Sequence, residues 1–213
     1  MISDPRKIYL YVFAAEGCTS EKAIRLSAFR YMKNKGWSEA KSYDDPLFEI
    51  RRTEKGKPYL PRLSNIGVSV SHSGEFLVCA VSEDDVGVDV QEMKSLPGES
   101  EEAYGARLCK ISKRFFHIDE ARLIEADPTR RFYRVFTAKE SYVKYTGTGF
   151  DGTLGEISVL PVNMELESCH CLGLPSEWIA AGVCFWQSVF ERDYVLCLCA
   201  RELFEPVIVR CDR

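Results

Sequence analysis

The amino-acid sequence predicts an α+β fold made of two similar halves, on three observations. Apolar runs with the period of two that is typical of strands are interspersed with longer stretches that have helical spacing. A segment rich in Pro, Gly, Ser and Glu, "SLPGESEE", divides the chain near its middle. The strand "EFLVCAVSE" before this segment and the strand "DYVLCLCARE" after it share an aromatic residue, an apolar run and a charged exit. We therefore expect an N-terminal half at 1–94, a linker at 95–104 and a C-terminal half at 105–213.

The first half begins with a strand and a helix. "KIYLYVFAA" reads as the strand, and "TSEKAIRLSAFRYMKNKG" as a helix with Thr19 or Ser20 at its cap and Gly36 at its end. Turn residues at 55–58 and Pro61 lead into the strand "IGVSVSHS". The strands "EFLVCAVSE" and "VGVDVQEM" follow, joined by the acidic turn "SEDD".

The second half begins with helices and ends with strands. "ARLCKISKRFF", "DEARLIEA" and "TRRFYRVFTAKESYVKYTG" have helical patterns, and Gly147 is a plausible C-terminal stop for the last one. Strand character returns in "GEISVLPV", "AGVCFWQSVFE" and "DYVLCLCARE".

Composition excludes several classes of protein. The sequence contains no apolar stretch long enough to span a bilayer, and its start lacks the features of a signal peptide. The net charge of −4 argues against general nucleic-acid binding, which usually needs a basic surface. We therefore expect a cytoplasmic protein that binds neither membranes nor nucleic acids.

The nine cysteines raise the question of a zinc site, since two C-x-C pairs are present, Cys169/Cys171 and Cys197/Cys199. In "DYVLCLCARE", however, a period of two places both thiols on one face of a buried strand. Free cysteine packs as a small apolar residue in reducing compartments. Core cysteines are therefore the favoured interpretation, and zinc stays the alternative.

In "VGVDVQ", a period of two places Val86, Val88 and Val90 on one face and Gly87, Asp89 and Gln91 on the other. A carboxylate and an amide that project together are suitable ligands for a hard cation. The alternative is an edge strand whose polar face meets water.

The helical motif "FTAKESYVK" places Glu140 and Lys144 on one face by i,i+4 spacing, with Lys139 displaced by about 100°. Magnesium usually takes one or two protein carboxylates and completes its shell with water and phosphate oxygens. Asp89 and Glu140 would satisfy that preference, and nearby lysines would hold phosphates. A surface ion pair is the commoner explanation of this spacing.

The motif "SHSG" adds potential phosphate ligands. His72 and the hydroxyls of Ser71 and Ser73 can donate hydrogen bonds, and Gly74 allows a ligand to approach the backbone. A lone histidine is more often structural. The ordered set "GKPY", "VSHSG", "GVDVQ", "RFF" with Glu120, and "FTAKESYVK" is more specific than any single motif.

This ordered set resembles the 4′-phosphopantetheinyl transferases, specifically the larger pseudo-dimeric type similar to the surfactin-synthetase activator. The family's motifs "GKP", "(I/V)SHS", "G(I/V)D(I/V)E" and "(W/F)xxKE(S/A)xxK" match this chain at 56–58, 70–73, 87–91 and 136–144. The resemblance covers roughly residues 55–160. It implies two α/β halves related by a pseudo-twofold, with the active site and coenzyme A in the cleft between them.

The resemblance also implies a reaction. A monomeric enzyme would move the phosphopantetheine arm of coenzyme A to a serine of an apo acyl or peptidyl carrier protein, releasing adenosine 3′,5′-bisphosphate. Glu140 and Lys144 would be catalytic, with Glu140 as the base for the serine. Mg²⁺ would be held by Asp89, Glu140 and Gln91. Coenzyme A would contact Lys22, Lys57, Ser71, His72, Lys139 and Lys144.

Two features depart from the family pattern. Gln91 stands where many members have a second acidic residue, and the amino-terminal region matches poorly, so that Lys22 is chosen only by its expected place on the helix. Two alternatives remain open at this point: a different magnesium-dependent transferase that acts on a nucleotide, and a degenerate member that binds coenzyme A or a carrier domain without turnover.

Overall fold

A computed structural model describes residues 6–37, 39–149, 153–162 and 174–211. It contains ten strands and four helices within those ranges. The strands are β1 (Arg6–Ala14), β2 (Arg51–Arg52), β3 (Pro58–Tyr59), β4 (Gly67–Ser73), β5 (Phe76–Ser82), β6 (Val86–Glu92), β7 (Glu177–Ala180), β8 (Val183–Phe190), β9 (Tyr194–Ala200) and β10 (Phe204–Arg210). The helices are α1 (Ser20–Asn34), α2 (Glu101–Phe115), α3 (Ile118–Glu125) and α4 (Pro128–Thr146).

The first sheet has the strand order β10-β1-β5-β4. Strand β1 runs parallel to β10 and antiparallel to β5, and β4 runs antiparallel to β5. One face of this sheet packs on α1 through a core of apolar side chains that includes Tyr11, Ile24, Tyr31, Phe48 and Val68.

The second sheet has the order β6-β9-β8-β7, with every neighbouring pair antiparallel. Helix α4 lies along one face, and α2 and α3 pack beside it around a second core that includes Leu108, Ile124, Phe132, Val135 and Phe185.

The two sheets pack against each other through a third core. It contains every second residue of β1, β5 and β6, which is the pattern expected of strands with one face turned inward. Its members include Ile8, Leu10, Val12, Val78, Ala80, Val86, Val88, Val90, Leu196 and Leu198. The order of layers is thus α1, first sheet, second sheet, α4.

Most of the predicted elements are confirmed. Thr19 caps α1, and Gly147 ends α4 in the left-handed conformation at φ 70°. Cys197 and Cys199 are buried in the second core, as expected of core cysteines. Cys169 and Cys171 lie outside the described residues. No described helix combines the length and the apolar character that crossing a membrane requires.

Some expectations need correction. "GEISVLPV" forms no strand; its first residue ends a short 3-10 turn at Thr153–Gly155, and the rest is irregular. Sequence analysis did not find β7 and β10. Helix α2 begins at Glu101, inside the predicted linker 95–104.

Strand pairing also links the two predicted halves. The strand β6 belongs to the predicted half 1–94 but joins the second sheet by pairing with β9. Conversely, β10 belongs to the predicted half 105–213 but joins the first sheet by pairing with β1.

Candidate functional site

The site is built around Asp89, a carboxylate in the middle of β6 with only 1% of its surface exposed. Its Oδ1 accepts hydrogen bonds from the Ser71 hydroxyl and from the Lys144 ammonium, both at 2.7 Å. Its Oδ2 accepts one from the Gln91 amide nitrogen at 3.1 Å. A buried charge needs such partners, because burial without them would be strongly unfavourable.

Gly87 brings α4 close to this strand. A Cβ at position 87 would lie 1.9 Å from the carbonyl oxygen of Ser141 and 2.7 Å from the backbone nitrogen of Tyr145. Only glycine permits such an approach of helix backbone to strand backbone. The glycine of the "GVDV" motif therefore brings Glu140 and Lys144 into the neighbourhood of Asp89, two strand positions away.

Glu140 lies beside Asp89 and has no hydrogen-bond partner among the described residues. Burial, and secondly the negative charge of Asp89, raise the pKa of Glu140 to about 7, while Lys144 opposes the shift. Two adjacent carboxylates with one neighbouring lysine leave negative charge that a divalent cation would neutralise.

Lys139 points elsewhere, to a buried ion pair with Glu120 of α3. The Nζ of Lys139 lies 2.7 Å from Glu120 Oε2 and donates to the Ile157 carbonyl at 2.6 Å. Glu120 also accepts from the backbone nitrogens of His117 and Val159, at 3.0 and 2.8 Å. Burial lowers the pKa of Lys139, and Glu120 opposes that shift. This pair ties α3, α4 and the 156–160 segment together; the predicted phosphate contact of Lys139 stays a prediction.

A cavity of about 180 Å³ adjoins Lys144. Among the described residues, four cationic side chains and no carboxylate line it, together with several glycines that leave the backbone accessible. The lining residues are Arg52, Lys55, Gly56, Lys57, Pro58, Ser69, Val70, Val143, Lys144, Gly147 and Gly149. An anion with several phosphate groups suits such a lining.

Lys57 connects the turn at 53–57 to the end of α4. Its Nζ donates to Asp85 Oδ1 and to the Tyr145 carbonyl, both at 2.6 Å. Because the carbonyls at a helix C-terminus attract cations, Lys57 also stabilises the end of α4. The structure thus places Lys57 and Lys144 in the lining of one cavity, and their contacts with phosphates stay predictions.

Two predicted coenzyme A contacts lie apart from this cavity. His72 is exposed near the end of β4, and Lys22 is exposed in the first turn of α1, where its backbone nitrogen donates to Thr19. Neither lines the cavity described above. Ser71 is buried and bonded to Asp89 rather than open to a ligand.

Sequence reasoning missed Arg52 and Lys55. The signal was present in the charged run "RRTEKGKP", where cations precede and surround the glycine of the "GKP" motif. Arg52 and Lys55 line the cavity because the turn between β2 and β3 lies against the end of α4, which the sequence pattern does not indicate.

Residues 85–199 match the model of the 4′-phosphopantetheinyl transferase superfamily, a segment of more than half the chain. The chain belongs to this superfamily. The matched segment contains Asp89, Gln91, Glu140 and Lys144 of the cluster around Asp89, whereas Ser71 precedes it.

Several named proteins of this superfamily are similar to the chain in sequence. A 4′-phosphopantetheinyl transferase of Bacillus subtilis is 36% identical over 157 residues, which cover 69% of this chain and 60% of that protein. The 4′-phosphopantetheinyl transferase Sfp of Bacillus subtilis strain 168 is 32% identical over 126 residues, covering 55% and 51%. The L-aminoadipate-semialdehyde dehydrogenase-phosphopantetheinyl transferase of Mus musculus is 31% identical over 141 residues, covering 60% and 45%. The matches span about half of the length of these superfamily members.

Proposed function

We propose that this protein transfers the 4′-phosphopantetheine arm of coenzyme A to a serine of an apo acyl or peptidyl carrier protein and releases adenosine 3′,5′-bisphosphate. The observation that carries the proposal is the pair of carboxylates Asp89 and Glu140 next to a cavity lined by Arg52, Lys55, Lys57 and Lys144. This combination suits a pyrophosphate together with a divalent cation. The names of the family relatives support the same substrate class.

The donor set fits Mg²⁺. Glu140 is a carboxylate without a hydrogen-bond partner among the described residues, and Asp89 lies beside it. The side chain of Gln91 contacts Asp89 through its amide nitrogen. Within the described ranges, no group of three or more His, Cys, Asp and Glu side chains could hold a metal by itself. Phosphate oxygens and water would therefore complete the shell, which is what Mg²⁺ prefers. Bound there, the ion would neutralise charge on the pyrophosphate.

The chain's own residues supply the proton transfers. The serine oxygen of the carrier attacks the β-phosphorus of coenzyme A, and Glu140 accepts the serine proton, directly or through a water. The pKa of about 7 belongs to Glu140 in the metal-free protein. A bound cation would lower this pKa and keep the carboxylate ionised, so that it could accept the proton. As the new P–O bond forms, the bond to the α,β-bridging oxygen breaks, and adenosine 3′,5′-bisphosphate leaves.

Lys144 stabilises that leaving group in our scheme. It is bonded to Asp89 in the structure, and a cation on Asp89 would free its ammonium for a phosphate oxygen. Arg52, Lys55 and Lys57 would hold the remaining phosphate charge, and His72 and Lys22 stay proposed contacts of coenzyme A on the α1 side.

The arrangement in two halves belongs to this proposal. Two four-stranded sheets, each with a three-stranded antiparallel part, pack against each other, and this supports halves related by a pseudo-twofold with the site in the cleft between them. Such a protein carries a complete site in one chain, so we propose that it acts as a monomer. The described cysteines form no disulfides, which fits a cytoplasmic location.

Mass spectrometry of candidate carriers tests the proposal. Apo carriers of fatty-acid, polyketide and peptide-synthetase origin are incubated with coenzyme A and Mg²⁺, with Asp89→Asn as the control enzyme. We expect a mass increase of one phosphopantetheine, and adenosine 3′,5′-bisphosphate only when a carrier is present. Coenzyme A binding without a mass increase on any carrier would favour the binding-only alternative. Turnover of a nucleotide without a carrier would favour a different transferase.

A further inference from the structure

Strand β4 carries a serine at every second position on the side that faces β6. The hydroxyl oxygens of Ser69, Ser71 and Ser73 accept hydrogen bonds from three backbone nitrogens of β6, at Val88, Val90 and Glu92. The distances are 3.1, 3.4 and 2.9 Å, in that order. We call these three serines the serine seam.

The seam has a regular register. Each serine meets the residue 19 positions later, so the two strands run in the same direction as they pass each other. β4 and β6 are edge strands of different sheets, and their backbones form no ladder with each other. In a continuous sheet, the carbonyl oxygens of a neighbouring strand would accept hydrogen bonds from these backbone nitrogens. Here the serine hydroxyls take the place of those carbonyl oxygens.

The middle serine also contacts the site. Ser71 accepts from Val90 and directs its only hydroxyl proton to Asp89 Oδ1, at 2.7 Å. With 7% of its surface exposed and its proton committed, Ser71 orients the carboxylate. A buried aspartate whose oxygens are all bonded in this way has one orientation.

We propose that the serine seam positions Asp89 for the reaction, and that Ser69 and Ser73 are positioning residues although neither touches Asp89. This inference rests on the proposed function. The seam fixes the position of β6 along β4. It therefore also fixes where Asp89 and the α4 residues above it lie relative to Lys57 and His72. Because strand side chains alternate, a shift of one residue would turn Asp89 away from α4, and a smaller displacement would misplace its carboxylate.

Hydrogen exchange and kinetics together test the seam. Ser69→Ala and Ser73→Ala remove the outer hydroxyls, whereas Ser69→Thr and Ser73→Thr retain a hydroxyl. Ser188→Ala is the matched control, since among the described residues the Ser188 hydroxyl bonds only to the neighbouring Val189 carbonyl. Amide exchange is followed by NMR at Val88 and Glu92. Initial rates with coenzyme A and a carrier give kcat and KM.

We expect Ser69→Ala to speed exchange at Val88, and Ser73→Ala to speed it at Glu92. Each should lower kcat roughly tenfold with little change in KM for coenzyme A, because a lost bond of this kind corresponds to about a factor of ten. The threonine variants should recover most of kcat. Ser73 is only half-buried, so Ser73→Ala keeps the test open if Ser69→Ala fails to fold.

Folded alanine variants with wild-type exchange at Val88 and Glu92 would overturn the seam itself. Faster exchange with unchanged kcat would overturn its role in positioning. If wild-type protein modifies no carrier, the proposed function falls, and with it the positioning role, whereas the exchange data still decide whether the seam holds β6.

Discussion

Lys144 and Asp89 form an ion pair with 2.7 Å between Nζ and Oδ1, although they lie 55 residues apart in the chain. The lysine thus occupies a carboxylate oxygen that the proposed Mg²⁺ would use. Cation binding and the release of Lys144 toward a phosphate would therefore be linked.

This linkage predicts that Lys144→Met has opposite effects on metal binding and on turnover. Removing the competing ammonium should tighten Mn²⁺ binding without coenzyme A by about fivefold, equivalent to roughly 1 kcal/mol for a partly exposed pair. The transfer rate should fall at least about a hundredfold, because the leaving phosphate loses its cation. Electron paramagnetic resonance of free Mn²⁺ measures the first effect, with Lys110→Met as control. Weaker Mn²⁺ binding in Lys144→Met would contradict the competition.

Asp89→Ala and Glu140→Ala should each abolish detectable transfer while leaving the fold intact. Each change removes a charged ligand that would face the metal and the pyrophosphate. Circular dichroism checks folding, mass spectrometry of the carrier checks transfer, and Asp44→Ala, a change in an exposed loop, is the matched control. Substantial transfer by either variant would refute the metal assignment.

Gln91→Glu should retain activity and bind Mg²⁺ several-fold more tightly, because it adds a carboxylate beside the proposed ion. Without metal the same change should destabilise the protein by about 1 kcal/mol, since the Gln91 amide now donates to Asp89 and a carboxylate there would repel it. Urea unfolding in EDTA and in excess Mg²⁺ separates the two effects. A folded but inactive variant would mean that Gln91 has another role.

Glu140 should make the metal-free protein less stable as the pH rises. Its pKa is raised from the usual 4.5 to about 7 in the folded protein. The folded state therefore holds the proton more tightly, and stability is lost between about pH 4.5 and pH 7, by up to roughly 3 kcal/mol. Glu140→Gln should remove this slope and be the more stable form at pH 8. Equal slopes for the two proteins in EDTA would argue against the shifted carboxyl.

The carrier should dock on the exposed basic side of α2. Lys113 already pairs with Glu125, and Arg107 with Glu99, whereas Lys110 and Arg114 form no ion pair with described residues. The double variant Lys110→Glu/Arg114→Glu should therefore lower kcat/KM for an acidic carrier about tenfold at low salt, and less at high salt. KM for coenzyme A should not change.

The matched control for docking is Lys33→Glu/Lys41→Glu, which makes the same change in net charge on exposed positions in and after α1. Equal losses in the two double variants would point to the net charge rather than to α2. No loss at low ionic strength would place the carrier elsewhere along the cleft.

The sequence by itself determined most of the elements and the local placement of several residues of the proposed site. The alternation of "VGVDVQ" placed Asp89 and Gln91 on one face, and the helical spacing of "FTAKESYVK" placed Glu140 with Lys144, as the structure has them. Strand period and helix period are local properties, because they depend on backbone geometry over a few residues.

The tertiary structure decided which partner each side chain met. Lys139 and Glu140 are neighbours in the chain, yet one is buried against Glu120 of another helix and the other lies beside Asp89. Likewise, β7 and β10 were missed. The strand β10 pairs with β1 from the other end of the chain, within one sheet, and the serine seam joins edge strands of two different sheets. These pairings depend on how the faces of helices and sheets pack against each other. A buried polar group is stable only where a distant part of the chain brings it a hydrogen-bond partner.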